Sequence, residues 1–175
     1  MKPLLIVESP SKCATIEKYL ASKDIKCVAS FGHIREIKSL KDIDIDNNFK
    51  TNFTPIASKN SQIQTLKKAI KACSEVILAT DNDREGEAIA WHICQQFQLN
   101  IHTTKRIIFN EITQKCLIKA YENPVRLNMN LVNAQMARQI MDFIVGFKVS
   151  PLLWKLGNKN LSAGRCQSPA LRLIC

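Results

Sequence analysis

Apolar positions along this chain follow two patterns. Unbroken short runs, as in "PLLIVE" and "EVILAT", suit strands buried on both faces of a parallel sheet, whereas Ile63, Leu66, Ile70 and Cys73 recur at helical spacing. Read in order, "PLLIVE" predicts a strand. "SPSKCATIEKYLAS" predicts a helix, with Ser9 and Pro10 placed as an N-cap and N1 pair. "KCVASFGHI" predicts a second strand ending at Gly32, and the polar stretch "KDIDIDNNFKTNFTP" a connection with room for a short edge strand. A helix from Ser61 leads into "EVILAT", a further helix covers "EAIAWHICQQF", and "KRIIF" is another short strand. The helix in "NEITQKCLIKAYENP" is stopped by Asn123 and Pro124. Strands alternating with helices as far as about residue 122 predict an α/β fold, a mostly parallel sheet with helices on both faces.

The pattern changes after Pro124. Ala137, Ile140, Met141 and Ile144 form an apolar helical stripe, with Gln135, Arg138 and Asp142 on the opposite side. "VGFKVSPLLWKL" and "LSAGRCQSPALRLIC" follow, the latter with Ser168 and Pro169 placed as a second N-cap and N1 pair. Its helix has about two turns before Cys175, too few to stand without packing or continuation, so the chain is expected to be cut rather than finished. The expected domains are 1–124, α/β, and 125–175, a mainly helical and incomplete segment.

Charge adds a preference for partners. Lys plus Arg number 25 against 15 Asp plus Glu, and residues 123–175 hold Asp142 as their one acid. Such a tail suits a phosphate backbone, and equally a plain basic surface. The seven cysteines include no C-x-x-C pair, which argues against a zinc ribbon or a redox motif. With no signal segment, bilayer-spanning run or lipidation motif in view, the expectation is a cytoplasmic protein without a membrane partner.

Against this basic background, "LATDNDREGEAIAWHI" crowds Asp81, Asp83, Glu85 and Glu87 around Arg84. Asp81 and Asp83 lie just past a strand's C-terminal end, where open α/β sheets place ligands, and two residues apart they point the same way. Together they suit magnesium, a hard ion that takes one or two carboxylates and completes its shell with water and phosphate oxygens. Glu8 stands at the corresponding end of the first strand, within reach if the two strands are neighbours. A carboxyl raised by acidic neighbours is also equipped to hand a proton to a leaving oxygen. The same D-x-D-x-E run equally suits a plain helix start, where carboxylates meet unsatisfied amides, and spacing does not choose between Glu85 and Glu87.

"VESPSKCATIEKYL", "ASFGHIRE", "ATDNDREGEAIAWHI", "FNEIT", "NAQMARQIMDFIVGFKVSPLLW" and "LSAGRCQSPALRLI" together resemble, in order and spacing, the N-terminal part of type IA DNA topoisomerases. V-E-S-P with S-A-G-R-x-Q-S resembles the topoisomerase I branch more than topoisomerase III. The resemblance implies a Toprim domain over 1–124 and, over 125–175, the first segment of a helical domain that grips DNA. It implies an enzyme that cuts one DNA strand through a tyrosine, passes another strand and reseals, relaxing negative supercoils as a magnesium-dependent monomer associated with DNA.

By position, the resemblance implies a catalytic role for Glu8 at the 3′ oxygen, for Lys12 at the scissile phosphate and for His33 beside them. It implies magnesium binding by Asp81, Asp83 and Glu85, with Glu8 as a further metal ligand. Gln135, Arg138 and Asp142 match positions lining a single-stranded DNA groove, and Arg165, Gln167 and Ser168 are expected to bind DNA where a turn-to-helix start offers backbone amides to phosphate. Gln139 and Phe143 depart from the family, which often has arginine at both, and this predicts weaker phosphate contact there. Neither tyrosine of this chain, Tyr19 or Tyr121, lies in the family's tyrosine motif, so the chain alone is expected not to cleave DNA. The alternatives are a stand-alone Toprim nuclease or nucleotidyl enzyme, in which the same acids act with water, and a DNA-binding module without catalysis.

Overall fold

In the computed structural model, which describes all residues except 156, 158 and 159, the "LLIV" run is a strand, β1 (Leu4–Val7), buried along its whole length. The segment predicted as one helix divides in two. Pro10–Lys12 is a single 3₁₀ turn with Ser9 as its N-cap and Pro10 at its first position, and α1 (Cys13–Tyr19) follows; the Ser9 side chain makes no capping bond. Next come β2 (Lys26–Ala29) and the two-residue strands β3 (Arg35–Glu36), β4 (Ile43–Asp44), β5 (Lys50–Thr51) and β6 (Thr54–Pro55). The remaining elements are α2 (Asn60–Lys71), β7 (Val76–Leu78), α3 (Arg84–Phe97), β8 (Lys105–Arg106), α4 (Gln114–Glu122), α5 (Met129–Trp154) and α6 (Gln167–Ile174).

Two compact units are built from these elements, and they interleave along the sequence: residues 1–36 with 54–133, and 37–53 with 134–175. The first holds a four-stranded sheet of order β2-β1-β7-β8, parallel throughout, with Leu4 in register with Lys26 on one side and Val76 on the other. Alternation along β1 sorts the core into two layers. Leu5 and Val7 pack with Ile16 of α1, with Leu20 just after it and with Leu117 of α4, while Leu4 and Ile6 pack with Leu66 of α2 and Ile89 and Ile93 of α3. Helices therefore cover both faces, as the strand–helix alternation predicts. Burying each such leucine or isoleucine contributes roughly 1.5–3 kcal/mol, so the sheet edge where all four strands end is a rigid platform. β3 and β6 form a separate antiparallel pair in the same unit.

In the second unit β4 and β5 make a hairpin whose tip, Asn48 and Phe49, has positive φ at both residues, as a tight hairpin turn demands. α5 is one continuous helix that runs through Pro151 to Trp154. The expected division of its faces is not what the structure has: Gln135 is buried, whereas Ala137 and Met141 are exposed. The reason is composition, because apolar residues occur all round α5 and no period of 3.6 singles out one face. α6 also starts differently from expectation. Cys166 holds the N-cap position and contributes no side-chain cap, so Ser168 and Pro169 lie inside the first turn.

Candidate active site

Parallel strands point the same way, so the segments after β1, β2 and β7 leave the sheet at one edge. Glu8 follows β1, the loop Ser30–His33 follows β2, and Asp81 and Asp83 follow β7, with β1 between the other two. That placement meets the condition on which Glu8 joins the Asp pair.

The loop after β7 is held from beneath. Arg106 is fully buried and pairs through Nε with Oε1 of buried Glu87 at 3.0 Å. Its Nη1 donates to the Thr80 carbonyl and its Nη2 to the Asp81 carbonyl, both at 2.8 Å. Glu87 also accepts from the Asn128 amide at 3.3 Å. Thr80 Oγ1 donates to the Gly86 carbonyl at 2.6 Å. Gly86 is demanded by space: a Cβ built on it would lie 2.1 Å from the Asp81 carbonyl oxygen. Of the two glutamates between which spacing does not choose, Glu87 is buried and spent on Arg106, whereas Glu85 stands outside this clamp. Arg84, between the acids in sequence, is exposed. The sole sequence sign of the clamp is a charge inside the apolar run "KRIIF".

The remaining acids turn to protein partners. Lys12 Nζ donates to Asp81 Oδ1. Asp83 caps α3, accepting the Gly86 amide at 2.7 Å with Oδ1, so the plain helix-start reading of the acidic run holds for this residue. Glu85 Oε1 meets His33 Nε2 at 2.8 Å. Burial holds the Glu8 carboxyl above its ordinary range; Asp81 and Asp83 push it further, and Lys12 and His33 oppose them. Behind His33 lies buried His92, its ring edge-on at 5.5 Å between centroids. Burial first, then His33 and Arg35, lowers its pKa to about 3, so it is neutral at every ordinary pH.

The donor set is right for magnesium in kind, hard carboxylate oxygens at a strand-end edge. As the side chains stand, however, no group of three acid, histidine or cysteine residues is gathered to hold a metal among the described residues. For Asp81 to serve as a ligand, its bond to Lys12 has to give way. Asp83 keeps one oxygen spare while capping α3.

Within 134–175 the structure joins three of the predicted residues. Arg165 Nε donates to Asp142 Oδ1 at 2.6 Å, and Arg138 Nε lies 3.8 Å from Asp142 Oδ2. The Arg165 hydrogen bond holds the Asp142 carboxyl below its ordinary range, with both guanidinium charges adding to the effect. Gln167 donates to the Ser162 carbonyl at 2.9 Å, and Ser168 Oγ accepts the Gly164 amide at 3.2 Å, so both are committed within their own turn. Gln135 is buried and does not share an exposed face with Arg138 and Asp142. Phe143, one of the two departures, stacks on Phe147 with centroids 4.6 Å apart. The two tyrosines, Tyr19 and Tyr121, pack against the core beneath the sheet.

Two stretches of the chain match known protein families. Residues 3–112 match the Toprim domain family and residues 126–175 a DNA topoisomerase family. The solved structure of full-length topoisomerase I from Thermotoga maritima is similar at 42% identity and a TM-score of 0.86, over 98% of this chain. This chain spans 29% of that one. With a Toprim domain followed by a topoisomerase segment, and with this likeness to a solved topoisomerase I, the chain belongs to the type IA DNA topoisomerase family.

Proposed function

We propose that residues 1–124 serve as the Toprim domain of an enzyme that cuts, passes and reseals single DNA strands, relaxing negative supercoils. Residues 125–175 serve in its DNA-gripping domain. What supports this most is the placement of Glu8 and of Asp81 and Asp83 at the ends of neighbouring parallel strands; burial first, and the two aspartates after it, raise the affinity of Glu8 for its proton. Asp81, Asp83 and Glu85 are the residues that would hold magnesium, which when bound supplies positive charge to phosphate oxygens. Lys12, released from Asp81, turns its ammonium to the scissile phosphate. A tyrosine hydroxyl attacks phosphorus and gives up its proton to solvent water, the bond from phosphorus to the 3′ oxygen breaks, and Glu8 delivers its proton to that oxygen. Resealing reverses each transfer. The attacking tyrosine is neither Tyr19 nor Tyr121, both half-buried against the core, and belongs to another part of such an enzyme. Arg138 and Arg165, ordered by Asp142, receive the phosphates of a single-stranded segment. We further propose a cytoplasmic monomer; no described helix is long and apolar enough to cross a membrane.

The test is calorimetry of the purified chain during magnesium titration. Magnesium is expected to raise the Tm of the wild type and to leave an Asp81→Asn, Asp83→Asn double variant unmoved. The same Tm rise in the variant would refute the assignment of the metal ligands. Magnesium-dependent nicking of plasmid with no protein-linked DNA would instead favour a nuclease that uses water.

A further inference from the structure

At the same sheet edge, the loop Ser30–His33 presents a large aromatic ring in a conformation that disfavours it. Phe31 has φ of 59°, in the left-handed region, and Gly32 follows at 84°. Glycine meets that demand at position 32 without strain, whereas a phenylalanine at 31 adopts it against its own steric preference. The backbone leaves no alternative. The Ser30 amide donates to the Val7 carbonyl at 2.8 Å and the Phe31 amide to the Glu8 carbonyl at 2.9 Å, while Lys59 Nζ donates to the Phe31 carbonyl. So pinned, the Phe31 side chain is 52% exposed and belongs to neither core layer. Two polar atoms of the same loop, Ser30 Oγ and His33 Nδ1, are buried and meet no hydrogen-bond partner among the described residues. A loop held rigid, strained and short of polar partners is shaped for a ligand rather than for its own stability.

We infer that Phe31 is a stacking platform for one unpaired nucleobase of the single-stranded DNA whose phosphate lies at Glu8 and Lys12. The inference rests on the function proposed above and adds a positioning residue to it. A base on the ring fixes the adjoining sugar-phosphate relative to Glu8, because the Phe31 amide is bonded to the Glu8 carbonyl. Stacking accepts any base, since each has a π-face, so the contact positions the strand without selecting its sequence.

Fluorescence anisotropy of the purified chain with two labelled oligodeoxynucleotides of equal length, one ordinary and one abasic throughout, separates rings from phosphates. Phe31→Leu is expected to weaken binding of the ordinary strand roughly 5- to 100-fold, the range that stacking one base carries. Phe31→Tyr is expected to bind as the wild type does, and neither change affects the abasic strand. Phe31→Asn relieves the backbone strain, so it is expected to lose base-dependent binding while its Tm stays level or rises, which separates stacking from folding. If Phe31→Leu binds both strands like the wild type while Lys12→Ala weakens both, the platform is refuted and the DNA reading of the site stands. If the wild type binds neither strand, the DNA reading fails and the platform with it.

Discussion

Removing Arg106 should damage this protein more than any exposed charge, and replacing its partner as well should restore part of the loss. Arg106→Met leaves Glu87, 1% exposed, with a buried charge and only the Asn128 amide in attendance. Breaking a buried ion pair from one side costs about 3–5 kcal/mol. The carbonyls of Thr80 and Asp81 each lose a donor at 2.8 Å, and an unsatisfied buried group adds about 1–3 kcal/mol. The Asp81 contact is only partly buried and falls at the low end of that range. The sum, about 5–9 kcal/mol, is comparable with the whole stability of a small domain. Arg106→Met with Glu87→Leu removes the stranded charge, so the double variant is expected to be more stable than the single by about 2 kcal/mol or more. Urea unfolding followed by circular dichroism closes the double-mutant cycle, with Glu87→Gln as the milder partner variant. Costs that add to within about 0.5 kcal/mol would refute the clamp, because they would mean that the two side chains do not act as a unit.

Three further outcomes follow from the same edge. Gly86→Ala forces a methyl to 2.1 Å from the Asp81 carbonyl; unfolding measurements should show a loss of about 3 kcal/mol or more, against well under 1 for Gly146→Ala, which meets nothing within 4 Å. Glu8 has its folded pKa raised, so the native state holds the proton more tightly than the unfolded chain and stability falls as pH rises through the carboxylate range. Glu8→Gln should therefore raise Tm at pH 7 and lose that advantage in acid, and a lower Tm at pH 7 would contradict the raised pKa. His92 has the opposite sign: its pKa is about 3 in the fold against 6.5 ordinarily, so its share of stability is present above 6.5 and lost as pH falls toward 3. The gap, roughly 3.5 pH units at ~1.4 kcal/mol each, makes that share about 4–5 kcal/mol. Unfolding free energies of the wild type and His92→Leu should converge as the pH is lowered across this window.

Much of the first unit is legible in the amino-acid sequence because its signals are local. Runs such as "LLIV" are apolar at every position, which only a strand covered on both faces requires, and D-x-D beyond "VILA" places two acids on one side of an extended segment. The roles proposed for Lys12, Glu85 and the DNA-contact residues come from resemblance to a family, and those proposed for Glu8, Asp81 and Asp83 from that resemblance together with their placement at strand ends. Along α5 the local signal fails, since apolar residues surround the helix and no periodicity tells the buried Gln135 from the exposed Met141. Tertiary structure alone decided that β1 lies between β2 and β7, and so that Glu8 meets Asp81 and Asp83. It also decided that Glu87, chemically the twin of Glu85, is buried against Arg106, nineteen residues further along the chain. The physical reason is the same in both cases: pairing between strands and between buried charges depends on distance in space, and a sequence records only distance along the chain.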